Sequence, residues 1–183
     1  MIAAGLPMRA TEGRRTMRRQ AELWGLGREL HGSTWVVVDK SKVVTNARTA
    51  EDSMHFYGVA VDCCFLGASP YPDMRSRDAV VRGMAEKAWL TYEAAAKAQG
   101  LTSGADWNGN GIRDRNDFDW PHIQITYGLE LPRMKLAYSL GGLERVWEEF
   151  DRARGVAVRS EWADLVPELA SGTLEGVSGE GAK

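Results

Sequence analysis

Two of the chain's three histidines stand close to carboxylates, in segments rich in strand-forming residues. His55 lies ahead of Asp62 in "SMHFYGVAVD", and His122 follows Asp119 in "DFDWPH". Two imidazoles and one carboxylate suit a tetrahedral zinc site that keeps one position open for water. The residue types therefore predict a zinc site formed by His55, Asp62 and His122.

A second carboxylate near the water of such a site could act as a general base. Asp119, three residues before His122, is the candidate for this role. Two alternatives stay open at this point. Cys64 would share a strand face with Asp62 and could also be a ligand, and all these polar side chains could simply be hydrogen-bonded residues at strand ends.

The segment "GVAVDCCFL", residues 58–66, has the composition of a β-strand. Side chains alternate along a strand, so Val61 and Cys63 face one way and Asp62 faces the other. Gly58 allows a tight turn between His55 and this strand. The strand would then project Asp62 towards the metal that His55 binds.

The remaining pattern predicts a mixed architecture. Apolar residues recur at helical spacing in three segments, with Thr16 as an N-cap and a stripe from Val81 to Tyr92. The fold class is therefore α+β, an antiparallel sheet flanked by helices with the zinc site at the sheet edge. The predicted helices cover 16–30, 76–100 and 141–154, and further extended segments cover 33–47 and 121–131.

Composition is that of an ordinary globular protein. The chain has 183 residues, is 44% hydrophobic and carries a net charge of −2, which argues against nucleic-acid and membrane partners. The first residues lack the basic and apolar regions of a secretory signal, and we expect none. Cys63 and Cys64 are adjacent, a spacing that prevents a relaxed disulfide and favours synthesis in a reducing compartment.

The ordered motifs resemble the zinc peptidases of bacterial cell-wall peptides. "S-x-H-x6-D" at Ser53, His55 and Asp62, followed by "D-x-x-H" at Asp119 and His122, is similar to the motif pair of that family. Its members include D-alanyl-D-alanine carboxypeptidases and the L-alanyl-D-glutamate endopeptidases of phage endolysins.

Further matches follow in the order of that family and extend the resemblance over about residues 5–150. "TEGRRTMRRQAELWGLGR" resembles the family's "T-S-G-x-R-S…Q…L-Y…G-R" block and supplies Arg15 and Gln20. "GLTSGADW" resembles "G-L-x-W-G-G-D-W", with Ser103 where the family has its first Trp. "GGLERVW" is a common ending in the endolysin members.

The resemblance implies roles for individual residues. His55, Asp62 and His122 would bind zinc, and Asp119 would be the catalytic base. Arg15 would bind the substrate or the developing oxyanion. The substrate would also contact Ser53 and Gln20.

The resemblance further implies a fold of the hedgehog/DD-peptidase type. A catalytic domain would cover residues 1–150, and a short C-terminal extension with a disordered end would cover 151–183. We expect a monomeric endolysin that cleaves the L-alanyl-D-glutamate bond of the peptidoglycan stem peptide. It would be made in the host cytoplasm and act on the cell wall after release.

Two other functions stay open. A D-alanyl-D-alanine carboxypeptidase would use the same catalytic groups on a different bond of the stem. A non-catalytic metal-binding module could recognise the cell wall without cutting it.

The segment "DWNGNGIRDRND", residues 106–117, resembles the calcium loop of an EF-hand. Gly111 stands at the sixth position, where the loop turns sharply. Arg113 at position 8 and the short Asp at position 12 depart from the pattern. We expect calcium to be a second ion, with these ligands: Asp106, Asn108, Asn110, Asp114 and Asp117.

Overall fold

The computed structural model describes residues 7–112 and 119–156. These residues form six strands, three α-helices and two short 3-10 turns, at Lys40–Lys42 and Ala50–Asp52. The strands and helices are, in chain order, β1 (Met8–Glu12), α1 (Met17–Gly25), β2 (Arg28–His31), β3 (Thr34–Val37), β4 (Ala60–Phe65), α2 (Ala79–Lys97), β5 (Thr102–Ser103), β6 (His122–Gln124) and α3 (Leu131–Ala153).

Four strands form one antiparallel sheet in the order β1-β4-β6-β5, and β2 and β3 form a separate hairpin. The predicted α+β class with an antiparallel sheet and helices is therefore confirmed. The sequence analysis did not predict β1, because "MRATE" is mostly exposed and lacks a clear apolar alternation.

Strand β4 alternates as predicted. Cys63 and Phe65 pack with Trp89 and Tyr92 of α2 in a buried cluster. Asp62 lies on the other face, directly across from His122 in the β4–β6 register.

The position of the candidate site in the sheet corrects one prediction. We expected the site at the sheet edge, but Asp62 and His122 lie on the two central strands. Antiparallel pairing brings the side chains of opposed residues to the same face, so a central pair can hold two ligands side by side.

The helices differ from their predicted bounds. Thr16 caps α1 as expected, accepting from Arg19 N at 3.2 Å, but the helix ends at Gly25 and the following residues form β2. In α2 the predicted stripe is wrong at its start, because Val81 and Met84 are 45% and 70% exposed. The buried positions of α2 begin at Ala85, where the helix starts to pack against the sheet.

Helix α3 contains a kink and supports the segment that carries His55. Gly142 has a φ of 67°, which divides the helix into two segments. Both segments pack on Phe56 and Tyr57 in a second buried cluster. Trp147 Nε1 also donates to Tyr57 O at 2.9 Å, so α3 fixes the turn next to His55.

None of the described helices is long and apolar enough to cross a membrane. Helix α3 ends at Ala153, beyond the predicted domain boundary at residue 150. The predicted C-terminal extension falls mostly on residues 157–183, outside the described residues, and its disorder stays a prediction.

Candidate metal centre

Three side chains converge above the centre of the sheet. His55 Nε2 lies 3.2 Å from His122 Nδ1 and 3.3 Å from Asp62 Oδ1, and His122 Nδ1 lies 3.2 Å from the same carboxylate oxygen. His55 and His122 are buried, at 3% and 6% exposure. This group could hold a metal ion, and its members are the three ligands predicted from the sequence.

The ligands come from two different kinds of backbone. Asp62 and His122 lie opposite each other on β4 and β6, at positions set by the strand register. His55 lies in the turn before β4, where Gly58 has a φ of 78° as the tight turn requires. Arg15 N donates to His55 O at 2.9 Å and ties this turn to the chain after β1.

Hydrogen bonds orient the imidazole rings of His55 and His122. In each ring one nitrogen makes the hydrogen bond and the other faces Asp62. His55 Nδ1 lies 2.9 Å from the carbonyl oxygen of Gly13, which can only accept, so Nδ1 carries the proton. His122 Nε2 donates to Gln124 Oε1 at 3.0 Å. The opposite nitrogens, His55 Nε2 and His122 Nδ1, therefore present lone pairs, as histidine ligands of metals do.

The spacing of the three donor atoms suits zinc. Tetrahedral bonds of about 2.0–2.1 Å place neighbouring ligand atoms about 3.3–3.4 Å apart. The observed separations are 3.2, 3.2 and 3.3 Å. Two imidazole lone pairs and a carboxylate at this distance repel one another unless a cation or a proton lies between them, so the donor set fits a bound metal.

The earlier alternative of Cys64 as a ligand does not hold for this group. Cys64 is buried at 1% exposure and lies across from Arg9 in the β1–β4 register. Among the described residues, the metal-binding group comprises His55, Asp62 and His122 without it.

The ligands influence each other's ionisation. Burial by itself would raise the pKa of Asp62. With no metal bound, a proton on His122 Nδ1 or His55 Nε2 can be donated to this carboxylate, which outweighs burial and holds the pKa well below its usual range. Burial by itself would lower the pKa of His122, but its contacts with Asp62 and Gln124, and the charge of Asp119, raise it. The site therefore favours a carboxylate at Asp62 and a positive charge near His122, which a cation could supply.

Asp119 lies on the wall of the same cavity. It keeps exposed surface, yet the surrounding protein atoms desolvate its carboxyl and raise its pKa. The positive field of His122 opposes this shift, and the charge of Asp62 adds to it. Asp119 is therefore within electrostatic reach of all three candidate ligands while standing outside their triangle.

Gly104 sets the position of Asp119. Its amide donates to His122 O at 2.9 Å, and Asp119 N donates to Gly104 O at 3.1 Å. A Cβ at Gly104 would lie 2.4 Å from the backbone oxygen of Asp119 and 2.9 Å from its Cβ. Only glycine allows the two segments this approach.

Arg15 lies beside Asp62 and is 8% exposed. Its Nε donates to Glu12 Oε1 at 2.7 Å, and its Nη1 donates to Gln20 Oε1 at 3.0 Å. Its Nη2 is 3.7 Å from Asp62 Oδ2, the carboxylate oxygen that is not in the ligand triangle. The guanidinium therefore places its positive charge beside the Asp62 carboxylate and also lines the cavity next to it.

Ser53 and Gln20 both contact Arg15. Ser53 Oγ accepts from Arg15 Nη1 at 3.5 Å and lines the cavity. Gln20 is fully buried, and its Nε2 donates to Ala47 O at 2.5 Å. This geometry shows Gln20 positioning Arg15, and substrate contacts by Ser53 and Gln20 stay predictions.

The candidate metal site opens into a cavity of about 680 Å³. Trp107 forms part of its wall and contacts the His122 ring, with ring centroids 4.9 Å apart. Residues of the hairpin and of the segment after it also line the cavity: Arg28, Val37, Lys40, Val43, Val44, Thr45 and Asn46. A peptide could therefore enter beside the metal ligands.

In the described part of the calcium-like loop, a lysine side chain pairs with the first predicted calcium ligand, Asp106. Asp106 is buried at 2% exposure, and its Oδ2 pairs with Lys97, which also donates to Glu93 Oε1 at 2.7 Å. Gly111 N donates to the same Asp106 oxygen at 2.9 Å. Within the described part of the chain, Asp106 Oδ1 has no hydrogen-bond partner.

The other predicted calcium ligands are not brought together in the described residues. The side-chain oxygens of Asn108 and Asn110 accept backbone amides, at 3.0 and 2.7 Å, as in an ordinary polar turn. Asp114 and Asp117 lie outside the described residues. Calcium binding stays a prediction.

The groups that orient the candidate ligands were not predicted from the sequence. Gln124 follows His122 at i+2, and strand alternation could have placed both side chains on one face. Gly13 contributes only its carbonyl oxygen, for which no side-chain signal exists. Glu12 and Trp107 were part of quoted motifs but were given no role.

In comparisons with known proteins, no protein-family model and no curated protein matches this chain. The functional assignment therefore depends on the residues of the site itself.

Proposed function

We propose that this chain is a zinc peptidase that hydrolyses an amide bond in the peptide stem of peptidoglycan. The observation that carries the proposal is the triangle of His55 Nε2, Asp62 Oδ1 and His122 Nδ1, with sides of 3.2–3.3 Å, beside a second carboxylate in an open cavity. Zinc is favoured over harder cations such as magnesium and calcium because two of the three donors are imidazole nitrogens.

A zinc ion at this site would supply Lewis-acid chemistry, lowering the pKa of water and polarising the scissile carbonyl. The residues of the chain would manage the protons. Asp119 would accept a proton from the attacking water and return it to the amine as the C–N bond breaks. Its raised pKa supports this role, because a base whose pKa lies closer to neutrality can also release the proton.

Arg15 would serve the same reaction in two ways. It places its positive charge 3.7 Å from the outer oxygen of Asp62, and it lines the cavity. Its charge would therefore act on a substrate oxygen placed beside the metal, where negative charge develops during hydrolysis. Glu12 and Gln20 hold the guanidinium in place for this purpose.

We further propose that the bond cut is the one between L-alanine and D-glutamate, as in the phage endolysins that the motifs resemble. The runner-up is a D-alanyl-D-alanine carboxypeptidase, which would need the same ligands and base. A non-catalytic metal-binding module is the third candidate. The position of Asp119 at the cavity wall favours a catalytic protein, because a structural metal site has no need of a base.

The test is to digest purified peptidoglycan with zinc-loaded protein and to identify the fragments by mass spectrometry. The proposal expects new L-alanine C-termini and D-glutamate N-termini. Release of free D-alanine alone would establish the carboxypeptidase. Binding to peptidoglycan with no fragment released would establish the non-catalytic module.

A further inference from the structure

The cavity has two walls of different chemistry. One, which we call the metal wall, consists of Arg15, His55, Asp62, Asp119 and His122. The other, which we call the hairpin wall, consists of Arg28, Val37, Lys40, Val43, Val44, Thr45 and Asn46. The metal wall carries both carboxylates of the cavity lining, whereas the hairpin wall carries three valines, two uncharged polar residues and two cations.

Three side chains of permanent positive charge line this cavity, and two of them are engaged. Arg15 binds Glu12 and Gln20 and contacts Asp62. Arg28 donates to the carbonyl oxygens of Trp24 and Thr45, at 2.8 and 2.9 Å. Its guanidinium also lies 3.6 Å from the centroid of the Trp24 ring. Arg28 is therefore a structural residue of the hairpin.

Lys40 is the cation that stays available. It is exposed, and no described residue forms an ion pair with it. The nearest acidic residue in sequence, Asp39, is already engaged by Lys42 at 3.2 Å and by Ser41 Oγ at 2.6 Å. Lys40 begins the 3-10 turn that Asp39 caps, so its backbone is fixed while its side chain lines the cavity.

An ammonium group beside three valines matches one kind of substrate part, a carboxylate on a short aliphatic unit. The proposed substrate has such a group next to the bond that is cut. In the stem peptide, D-glutamate continues through its side-chain carboxyl, which leaves its α-carboxylate free on the carbon that bears the scissile nitrogen. That charge must lie in the same cavity as the metal ligands when the bond is cleaved.

We propose that Lys40 binds the α-carboxylate of D-glutamate and makes the enzyme prefer stems in which this group is free over stems in which it is amidated. The inference rests on the proposed function and adds the residue that selects the substrate. Lys40 lies outside the catalytic group, so its effect would fall on recognition of the peptide.

The experiment uses two peptides that differ in one group. Both are N-acetyl-L-alanyl-γ-D-glutamate with the side-chain carboxyl capped as a methylamide, one with a free α-carboxylate and the other with an α-carboxamide. Cleavage by zinc-loaded protein is followed by mass spectrometry, and kcat and KM are determined separately. The variants are Lys40→Met, Lys40→Arg and, as a matched control in the same turn, Lys42→Met.

We expect the unsubstituted protein to prefer the peptide with the free carboxylate by about 10-fold in kcat/KM. This preference is larger than the effect of a typical exposed ion pair and smaller than that of a strong charge-assisted hydrogen bond. Lys40→Met should reduce this preference to about twofold or less, mainly by raising KM for the peptide with the free carboxylate. Lys40→Arg should retain most of the preference, and Lys42→Met should retain all of it.

Three outcomes overturn the inference, and they differ from failure of the proposed function. Equal cleavage of both peptides by the unsubstituted protein would show that the carboxylate is not recognised. An unchanged preference in Lys40→Met would assign recognition to another residue. An equal loss in Lys42→Met would indicate a general effect of positive charge. Cleavage of neither peptide would overturn the proposed cleavage between L-alanine and D-glutamate, and the inference with it.

Discussion

The two walls of the cavity are built in opposite ways. On the metal wall, His55 and Arg15 are buried at 3% and 8% exposure and are held by defined hydrogen bonds. On the hairpin wall, Val37 and Val44 are 44% and 59% exposed. The first wall fixes its atoms to within the tolerance that a metal requires, whereas the second presents surface that a substrate could cover.

Under our proposals, the difference separates chemistry from selection. Metal ligands must converge on one point, and the supporting contacts of the candidate ligands come from the sheet, from α3 and from the turn after β1. Substrate recognition tolerates more variation, and the proposed recognition surface includes a hairpin whose strands are mostly exposed. Substitutions on the metal wall should therefore cost far more activity than substitutions on the hairpin wall.

The largest effect should come from removing a ligand. His122→Ala should abolish both zinc binding and peptidoglycan hydrolysis, because three protein donors would become two. Metal analysis of the purified protein measures the loss, and His31→Ala in the exposed hairpin is the matched control. Full zinc content in His122→Ala would show that the ion binds elsewhere and would remove the chemical distinction between the walls.

The next largest effect tests whether Asp119 of the metal wall is a catalytic base or a metal ligand. Asp119→Ala should retain zinc and the fold but lose catalysis by roughly 10²-fold or more, because no group would accept the proton of water. Zinc content, circular dichroism and kcat are measured on the same preparation. A folded variant that has lost its zinc would identify Asp119 as a ligand.

A smaller effect tests how tightly the metal wall is held. Gln124→Leu removes the acceptor 3.0 Å from His122 Nε2, and metal affinity should fall about 10-fold to 100-fold. Competition with a chromogenic chelator measures this affinity. Gln99→Leu, at an exposed position after α2, is the control. Equal metal affinities in the unsubstituted protein, Gln124→Leu and Gln99→Leu would mean that metal binding by His122 does not depend on the hydrogen bond to Gln124.

The calcium-like loop, residues 106–117, contains Trp107 and ends two residues before Asp119, so calcium would act on the metal wall if it binds. We expect a dissociation constant on the order of 10⁻⁵–10⁻³ M, because the Asp at position 12 is shorter than the usual bidentate Glu. Calcium is titrated into chelator-treated, zinc-loaded protein while wall lysis is followed. Asp117→Ala is the variant of choice, since Asp106 also pairs with Lys97.

Under this prediction calcium increases lysis in the unsubstituted protein and has no effect on Asp117→Ala. Identical lysis with and without calcium in both proteins would reduce the loop to a polar turn.

The smallest effect concerns the ion pair between Asp52 and Lys135, close in sequence to Ser53 and His55. Lys135 and Thr49 hydrogen-bond Asp52 and lower its pKa from 3.8 to about 2. Because the pKa is lower in the folded state, this stabilisation is complete above about pH 4 and is lost as the pH falls towards 2. Both side chains are partly exposed, so we expect about 1 kcal/mol in the free energy of unfolding.

Chemical denaturation at several pH values would measure this contribution. Asp52→Asn should remove that part of the pH dependence and leave the zinc content at neutral pH unchanged. A stability profile of the same shape in both proteins would show that the Lys135 contact contributes nothing measurable.

Much of the site could be predicted from local sequence. The period-2 alternation of β4 puts Asp62 on the face opposite the apolar cluster, and the types and order of His55, Asp62 and His122 indicate metal chemistry. The N-cap at Thr16 and the turn at Gly58 also follow from neighbouring residues. These features depend only on residues a few positions apart in the chain, so they can be predicted from the sequence.

Other features depend on which segments meet. Asp62 and His122 become neighbours only through the β4–β6 register, and the same pairing moves the site from the sheet edge to its centre. Arg15 reaches Asp62 because the turn after β1 is tied to His55. The exposure of Val81 and Met84 likewise reflects where α2 leaves the sheet.

The sequence by itself determined the chemical identity of the donors and the face of the strand on which Asp62 stands. Only the tertiary structure decided the 3.2–3.3 Å triangle, the tautomers of the two histidines and the availability of Lys40. The physical reason is the separation along the chain of the residues that interact. Side-chain chemistry and strand alternation are local properties, whereas distances between donors and the pairing of charges are fixed by contacts between residues far apart in the chain.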